Sequence, residues 1–311
     1  FSTCLLLVVL TVSLSVLIIK EPEGTNEDEL VMPPSDIPSM QPSSSPSFNP
    51  RPTLETVQMR GHVRCGLRTE TIESREGFRL DVCRAVAAVI FGSPESFVGV
   101  PVMGSSRFQQ LNGRAVDLLL YGDTHTIERE VQERTTGSGF TFSSPYYYDG
   151  MAYFGNDTFV RCAEEHKRFD ECSSLLICMT KKTSSHDFVQ SSFPSDFFML
   201  RSSLKESTEM LLNNTCNVIA SDRSALLNIA SSDNKTFIVG GKLMTKEPLA
   251  FVTRNNDREF SDIINWVVQA LFYGEEQGLT KNSSLCQNYT NLTSHHGSDL
   301  NFLNAVYCVG S

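Results

Sequence analysis

The feature that most constrains the fold is an alternation of apolar runs and amphipathic segments between residues 54 and 280. The runs at 115–121 and 216–220 are typical of buried strands, whereas 80–91 and 262–273 carry apolar residues at helical spacing and end before a glycine. Strands separated by helices favour βαβ units and mainly parallel sheets. Because this order occurs twice along the chain, the sequence predicts an α/β fold of two lobes.

The predicted topology also indicates where a ligand would bind. In open α/β sheets ligands bind beyond the carboxyl ends of the strands, which points to residues 122–129, 180–185 and 221–222. The sequence contains no CxxC pair, HExxH motif, phosphate loop or nucleophile elbow, so it predicts no metal, no cofactor and no catalytic residue. With 36 acidic and 26 basic residues the net charge is −10, which argues against binding of nucleic acid.

The first 53 residues differ in composition from the rest. Residues 4–19 carry no charge and Lys20 follows them, so residues 1–20 are predicted to be a signal anchor or a signal peptide, with a buried core helix as the alternative. The acidic and Pro/Ser-rich residues 21–53 are predicted to form a disordered tether. We therefore expect an extracytoplasmic domain that is anchored to a membrane or secreted.

Cysteines and glycosylation motifs agree with that compartment. An even number of cysteines follows the apolar run, as disulfides in an oxidising compartment require: Cys65, Cys83, Cys162, Cys172, Cys178, Cys216, Cys286 and Cys308. Many pairings are open, and the simplest joins neighbours: 65–83, 162–172, 178–216 and 286–308. Candidate glycosylation sites in Asn-x-Ser/Thr motifs are Asn156, Asn213, Asn234, Asn282, Asn288 and Asn291.

Four stretches in one order carry a resemblance to a known family. They read GFRLDVCRAVAA at 77–88, FSSPYYYDG at 142–150, NVIASDRSAL at 217–226, and TKEPL at 245–249 with Trp266 and EEQGLT at 275–280. In this order they resemble solute-binding protein family 3, the extracellular amino-acid-binding proteins of ABC uptake systems. The chain is most similar to the general L-amino-acid-binding branch.

The resemblance implies a two-lobed type II periplasmic-binding-protein fold with a two-strand hinge near Tyr153 and Glu247. It implies a first lobe at 54–153 plus 248–290, a second lobe at 154–247, and a polar tail at 291–311. It further implies that a free L-amino acid binds between the lobes and that a membrane transporter or receptor reads the closure. An enzyme is not expected.

The resemblance also assigns roles to single residues. Arg129 would hold the ligand α-carboxylate, since a guanidinium offers a bidentate pair of donors. Thr124, beside Gly122, and Thr183 with Ser184 at a helix start would bind the same carboxylate. Asp222 would accept hydrogen bonds from the α-ammonium. The open alternatives are a surface role for Arg129 and helix capping for the threonines, Ser184 and Asp222.

Some positions depart from the family pattern. Lys182 stands where the family has glycine, and a positive φ there would strain a lysine. Tyr121 stands where the branch can carry arginine, so an acidic ligand is less expected. The loop between Gly66 and Gly77 is short, with Thr69 and Glu70 as candidates for ligand contact.

Two rival functions remain open at this point. One is an adhesion or coreceptor domain on a degenerate solute-binding fold. The other is a dehydratase or lyase on the same fold, for which Glu70, Asp123 or Glu128 would serve as the acid.

Overall fold

The computed structural model describes residues 51–74, 77–133, 136–232, 237–255 and 257–279. The predicted anchor, the tether up to residue 50 and the predicted tail lie outside these residues, as do Asn234, Asn282, Asn288, Asn291, Cys286 and Cys308. The end of the predicted tether is described, and Thr53 is buried at the start of the first helix, so the folded region begins before residue 54. Within the described ranges, no helix combines the length and the apolar character that a membrane crossing requires.

The first lobe is built on a mixed sheet with the order β2-β1-β3-β11-β4, in which β5 also pairs with β11. Its strands are β1 (Val63–Leu67), β2 (Phe97–Pro101), β3 (Leu118–Thr124), β4 (Phe140–Phe142), β5 (Tyr147–Asp149) and β11 (Glu247–Arg254). Its helices are α1 (Thr53–Arg60), α2 (Thr69–Ser74), α3 (Phe78–Phe91), α4 (Arg107–Asn112), α5 (Ile127–Gln132) and α10 (Arg258–Glu276). Strands β1, β2 and β3 are parallel, and β11 runs antiparallel to β3.

The second lobe is built on a sheet with the order β10-β6-β9-β7-β8. Its strands are β6 (Met151–Gly155), β7 (Ile177–Thr180), β8 (Phe198–Arg201), β9 (Val218–Asp222) and β10 (Ile238–Val239). Its helices are α6 (Asp157–Glu164), α7 (Ser184–Ser192), α8 (Leu204–Leu212) and α9 (Arg223–Ser232). Strand β7 lies parallel to β8 and β9, and β6 runs antiparallel to β9.

Each lobe has its own apolar core. Helices α3 and α10 bury Val86 and Val267 against Leu120 and Phe251 of the first sheet. In the second lobe, Val189 of α7 packs with Tyr153 and Ile177. These separate cores confirm the predicted two-lobed α/β fold with parallel strands.

The chain passes from the first sheet to the second at Gly150 and returns between β10 and β11. The predicted lobe boundary at residue 153 cuts through β6, but all of β6 pairs with β9 and belongs to the second sheet.

Two strands extend past the apolar runs that predicted them. Strand β3 reaches Thr124 because β11 pairs Leu249 with Thr124 and Ala250 with Asp123. Strand β9 reaches Asp222 because β6 pairs Met151 with it. The apolar pattern predicts neither extension. The neighbouring strand instead supplies the backbone hydrogen bonds, which fixes both polar ends in an extended conformation.

In the described part of the chain three disulfides are formed, and two of them involve a sheet strand. Cys65–Cys83 joins β1 to α3, and Cys162–Cys172 joins α6 to the 3-10 turn that follows it. Cys178–Cys216 joins β7 to the segment just before β9. They agree with the neighbour pairing for these six cysteines. Asn156 and Asn213 are both exposed, and the Asn156 side chain caps α6.

Candidate functional site

A cavity lies between the lobes, where β3, β7 and β9 end. The space open to the centre of a water molecule is about 40 Å³, which holds about three waters. All six residues that the sequence predicts as ligand contacts line it, together with residues of both lobes: Gly122, Thr124, Arg129, Thr183, Ser184 and Asp222, with Arg68, Gly104, Arg107, Tyr121, Thr180, Ser185, Leu204, Ala220 and Ser221.

A second space of about 240 Å³ lies on the other side of Arg129 and Ser184. Glu128, Glu133, His186 and Asp187 line it together with Thr126 and Lys182, and each of those first four residues already interacts within the protein. Asp222 lies in the lining of the smaller cavity. The smaller cavity is therefore the candidate site, since it presents both Arg129 and Asp222.

Arg129 projects from α5 and is buried. Its Nη1 donates to the Thr124 carbonyl at 2.7 Å, and its guanidinium lies 5.4 Å from the centre of the Phe108 ring. In the part of the chain that the structure describes, no carboxylate forms an ion pair with it. Burial and then the Arg107 charge lower its pKa, but an arginine stays protonated at neutral pH. The group is a buried cation that favours an anion, not a surface arginine.

Thr124 and Ser184 meet across the cavity through Glu247. Both hydroxyls donate to Glu247 Oε2, Thr124 at 2.6 Å and Ser184 at 2.8 Å, and the two hydroxyl oxygens are 3.3 Å apart. Helix α5 is capped by Thr126, whose side chain accepts from the backbone N–H of Arg129. Thr124 is thus not the α5 cap, and its side chain is free of that role.

Thr183 is the cap of α7. Its hydroxyl accepts from the N–H of His186 at 3.2 Å and donates to the Thr180 carbonyl at 2.7 Å. A hydroxyl has one proton, and this one is already used. Thr183 lines the cavity, but in this arrangement its side chain serves the helix.

Asp222 closes the opposite side of the cavity at the end of β9, and its side chain is half-buried. Capping of α9 was the alternative role for Asp222, but the N–H of Ser224 in the first turn of α9 donates to Asp149. Burial, and then the negative charges of Glu247 and Asp149, raise the pKa of Asp222 to about 6 against the opposing charges of Arg68 and Arg79. Such a carboxylate gains from a cation beside it.

Sequence reasoning missed Arg68 and misjudged Asp123. Arg68 follows β1 and lines the cavity, and its guanidinium lies 4.5 Å from the centre of the Tyr121 ring. Its Nε is buried and finds no hydrogen-bond partner among the residues that the structure describes. Thr69 is exposed, and the side chain of Glu70 lies outside the description. Asp123 is fully buried in an ion pair with Arg107, so it neither faces solvent nor lines the cavity. The position of Arg68 at the carboxyl end of a strand was the signal that could have identified it.

Gly122 and Lys182 carry the unusual backbone of the site. Gly122 has φ 92°, and a Cβ there would lie 2.4 Å from Arg79 Nη2. Lys182, which stands where the family has glycine, has φ 62°. A residue with a side chain costs about 1–2 kcal/mol at such a φ angle. Lys182 therefore keeps the left-handed backbone that glycine would adopt, but with strain.

We predict that Lys182→Gly raises the free energy of unfolding by about 0.5–1 kcal/mol, because it relieves the left-handed backbone while adding some freedom to the unfolded chain. Lys181→Gly is the matched control: Lys181 is not among the positive-φ residues, so its replacement should destabilise. Urea denaturation measures both variants. A destabilised Lys182→Gly would show that the strain is absent.

Proteins with similar sequences are known. A scan against protein-family models finds no match. Over 241 residues the chain is 30% identical to YhdW of Escherichia coli O157:H7, whose name gives it as a candidate amino-acid ABC transporter-binding protein; the match covers 73% of this chain and 68% of YhdW. It is 28% identical over 243 residues to the general L-amino acid-binding periplasmic protein AapJ of Rhizobium johnstonii, covering 74% and 68%.

A solved structure supports the fold. An ABC transporter periplasmic binding protein from Brucella ovis, determined with glutathione bound, superposes with a TM-score of 0.65 at 22% sequence identity. The superposition covers 83% of this chain and 86% of that one. At this identity the likeness concerns the fold.

Proposed function

The chain belongs to solute-binding protein family 3, the amino-acid-binding proteins of ABC transporters, and we propose that it captures a free L-amino acid between its two lobes. The observation that carries the proposal is the pair Arg129 and Asp222. These opposite charges line one cavity from different lobes. Neither of them forms an ion pair with another of the described residues.

In this proposal each end of the zwitterion has its own partner. The α-carboxylate lies against the Arg129 guanidinium, near the start of α7 at Ser184, where backbone N–H groups and the helix dipole favour an anion. The α-ammonium donates to Asp222. Because one group belongs to the first lobe and the other to the second, binding draws the lobes together, the hinge motion of periplasmic binding proteins. The two crossovers, at Gly150 and between β10 and β11, would be the hinge.

The ligand side chain would meet Arg68. Tyr121 replaces an arginine of the branch, which argued against an acidic ligand, but the Arg68 guanidinium lies over the Tyr121 ring and faces the same cavity. Three arginines line the cavity: Arg68, Arg107 and Arg129. Arg107 is paired with Asp123, and Arg129 would bind the ligand α-carboxylate, so Arg68 remains available to the ligand side chain. We therefore favour an amino acid with an anionic side chain.

The described disulfides support an extracytoplasmic location. Within the same proposal, residues 1–20 direct the domain across a membrane or anchor it there, residues 21–53 act as a spacer, and Asn156 and Asn213 are available for glycosylation. A membrane transporter or receptor would read the closed form.

The enzyme alternative has less support in the site. Glu128 lines the second space, and Asp123 is bound to Arg107. Neither of these two acids lines the cavity between the lobes, where a substrate would need a proton donor within hydrogen-bond distance, and the side chain of the third candidate, Glu70, lies outside the described residues. The acid that does line the cavity is Asp222, which the proposal assigns to the α-ammonium.

Titration calorimetry with the twenty common L-amino acids tests the proposal. We expect micromolar affinity, about −8 kcal/mol, for at least one of them. Arg129→Ala should weaken it by more than about 100-fold, since truncation leaves the ligand carboxylate without its charged partner. Arg258→Ala, at an exposed arginine of α10, is the control and should leave affinity unchanged. No heat and no thermal shift with any amino acid would contradict the proposal and favour a degenerate domain.

Binding should depend on pH through Asp222. The carboxylate, with a pKa of about 6, must be ionised to accept an ammonium, so protonation competes with the ligand as the pH falls. We expect the Kd to rise about tenfold from pH 7 to pH 5. Asp222→Asn should bind weakly and lose this dependence. A wild-type Kd that stays constant over that range would show that Asp222 does not bind the ammonium.

Selectivity should depend on Arg68. We expect the wild-type protein to bind L-aspartate or L-glutamate more tightly than the isosteric amides L-asparagine or L-glutamine, by roughly tenfold, the effect of one charge-assisted hydrogen bond. Arg68→Gln should remove the difference without abolishing binding. Competition titrations measure both ratios. Equal affinity for acid and amide in the wild-type protein would refute this role while leaving amino-acid binding intact.

A further inference from the structure

Glu247 is a buried carboxylate at the start of β11, where the chain re-enters the first lobe. Three hydroxyls donate to it. Thr124 and Ser184 converge on Oε2, and Thr245 donates to Oε1 at 2.8 Å. Thr124 ends β3 of the first lobe and Ser184 begins α7 of the second. A single oxygen atom therefore joins the two lobes.

The number of hydroxyl protons limits what this arrangement can do. A Ser or Thr hydroxyl donates one hydrogen bond, and both Thr124 and Ser184 donate theirs to Glu247. A ligand carboxylate that used the same hydroxyls would need the same protons. In this respect Glu247 and the ligand α-carboxylate are rivals.

The size of the cavity leads to the same conclusion. About 40 Å³ is room for the centres of about three waters, which is three non-hydrogen atoms, whereas the smallest amino acid has five. The two hydroxyl oxygens, 3.3 Å apart, are part of what closes it. For an amino acid to enter, the lobes must part at this contact.

The two oxygens of Glu247 are not equivalent. The Thr245 hydroxyl that donates to Oε1 also accepts from the N–H of Met151 at 2.9 Å, so this side is fixed by the crossover segments near β6 and β11. At Oε2, Thr124 donates from β3, which pairs with β11 in the first lobe, whereas Ser184 donates from α7 of the second lobe. Parting the lobes therefore breaks the Ser184 contact and leaves Glu247 with Thr124 at Oε2 and Thr245 at Oε1.

We propose that Glu247 is a latch that holds Thr124 and Ser184 together and competes with the α-carboxylate of the incoming amino acid. This inference rests on the proposed function, because it assigns those hydroxyls to the same ligand. It follows that the latched form withholds part of the protein from binding. The apparent affinity is reduced by the fraction of molecules that is unlatched.

Glu247→Gln tests the latch in the full chain. A neutral amide accepts hydrogen bonds more weakly than a carboxylate, so the latch should loosen while the shape of the side chain is kept. We expect the Kd, measured by calorimetry for each amino acid that binds the wild-type protein, to fall by about threefold or more. A side chain that merely supports the site would give the opposite sign, since its loss would weaken binding.

A distance measurement tests the latch without a ligand. Spin labels at Arg258→Cys in the first lobe and Lys167→Cys in the second occupy exposed positions. Glu247→Gln should lengthen and broaden the distance between them relative to the wild-type protein. If that variant fails to fold, Ser184→Ala removes the second-lobe donor and should lengthen the distance in the same way.

The outcomes separate the two ideas. Unchanged distances, or a Glu247→Gln variant that binds more weakly, would overturn the latch and leave amino-acid capture standing. If neither the wild-type protein nor Glu247→Gln binds any of the twenty amino acids, the proposed function fails, and the competition fails with it.

Discussion

Two unlike charges, Arg129 and Asp222, reach one cavity from separate lobes without forming an ion pair in the described part of the chain. Burying a charge is costly unless it is paired or hydrogen-bonded. The protein supports Arg129 with the Thr124 carbonyl and the Phe108 ring, and Asp222 with the fields of Arg68 and Arg79. Neither charge is fully compensated, which is the condition under which a zwitterion gains from both.

The fold makes this possible by dividing tasks among the polar residues at the strand ends. Thr126 and Thr183 cap helices, and the N–H of Ser224 is taken by Asp149. Capping removes these donors from the cavity, and it leaves Arg129 and Asp222 to face the space between the lobes. Strand pairing continues past the apolar runs as far as Thr124 in β3 and Asp222 in β9. The backbone at both residues is therefore extended, which fixes the positions from which their side chains project.

Much of this could be predicted from local sequence. Helical and strand-like periodicity gave the order of the elements, and the rule that ligands bind beyond strand ends pointed to the segments with Arg129 and Asp222 before any resemblance was used. The pairing of Cys65 with Cys83 agrees with the simplest of the pairings that the sequence left open. Strand β8, at the edge of the second sheet, carried too weak an alternation to be recognised.

What could not be predicted depends on distant contacts. Glu247 meets Thr124 and Ser184, which lie 123 and 63 residues away, and nothing in the motif TKEPL shows that its carboxylate is buried. The ion pair between Arg107 and Asp123 is likewise a product of packing β3 against α4. The role of a buried charged side chain can be assigned only when its partner in the fold is known, since the same aspartate can cap a helix, form an ion pair or bind a ligand.

The structure of the protein determined with its amino acid bound tests the central claim most directly. The account requires the ligand carboxylate to lie within hydrogen-bond distance of the Arg129 guanidinium and the ligand nitrogen to lie within that distance of the Asp222 carboxylate. A ligand held only by one lobe, or bound in the space beside Lys182 and His186, would contradict it.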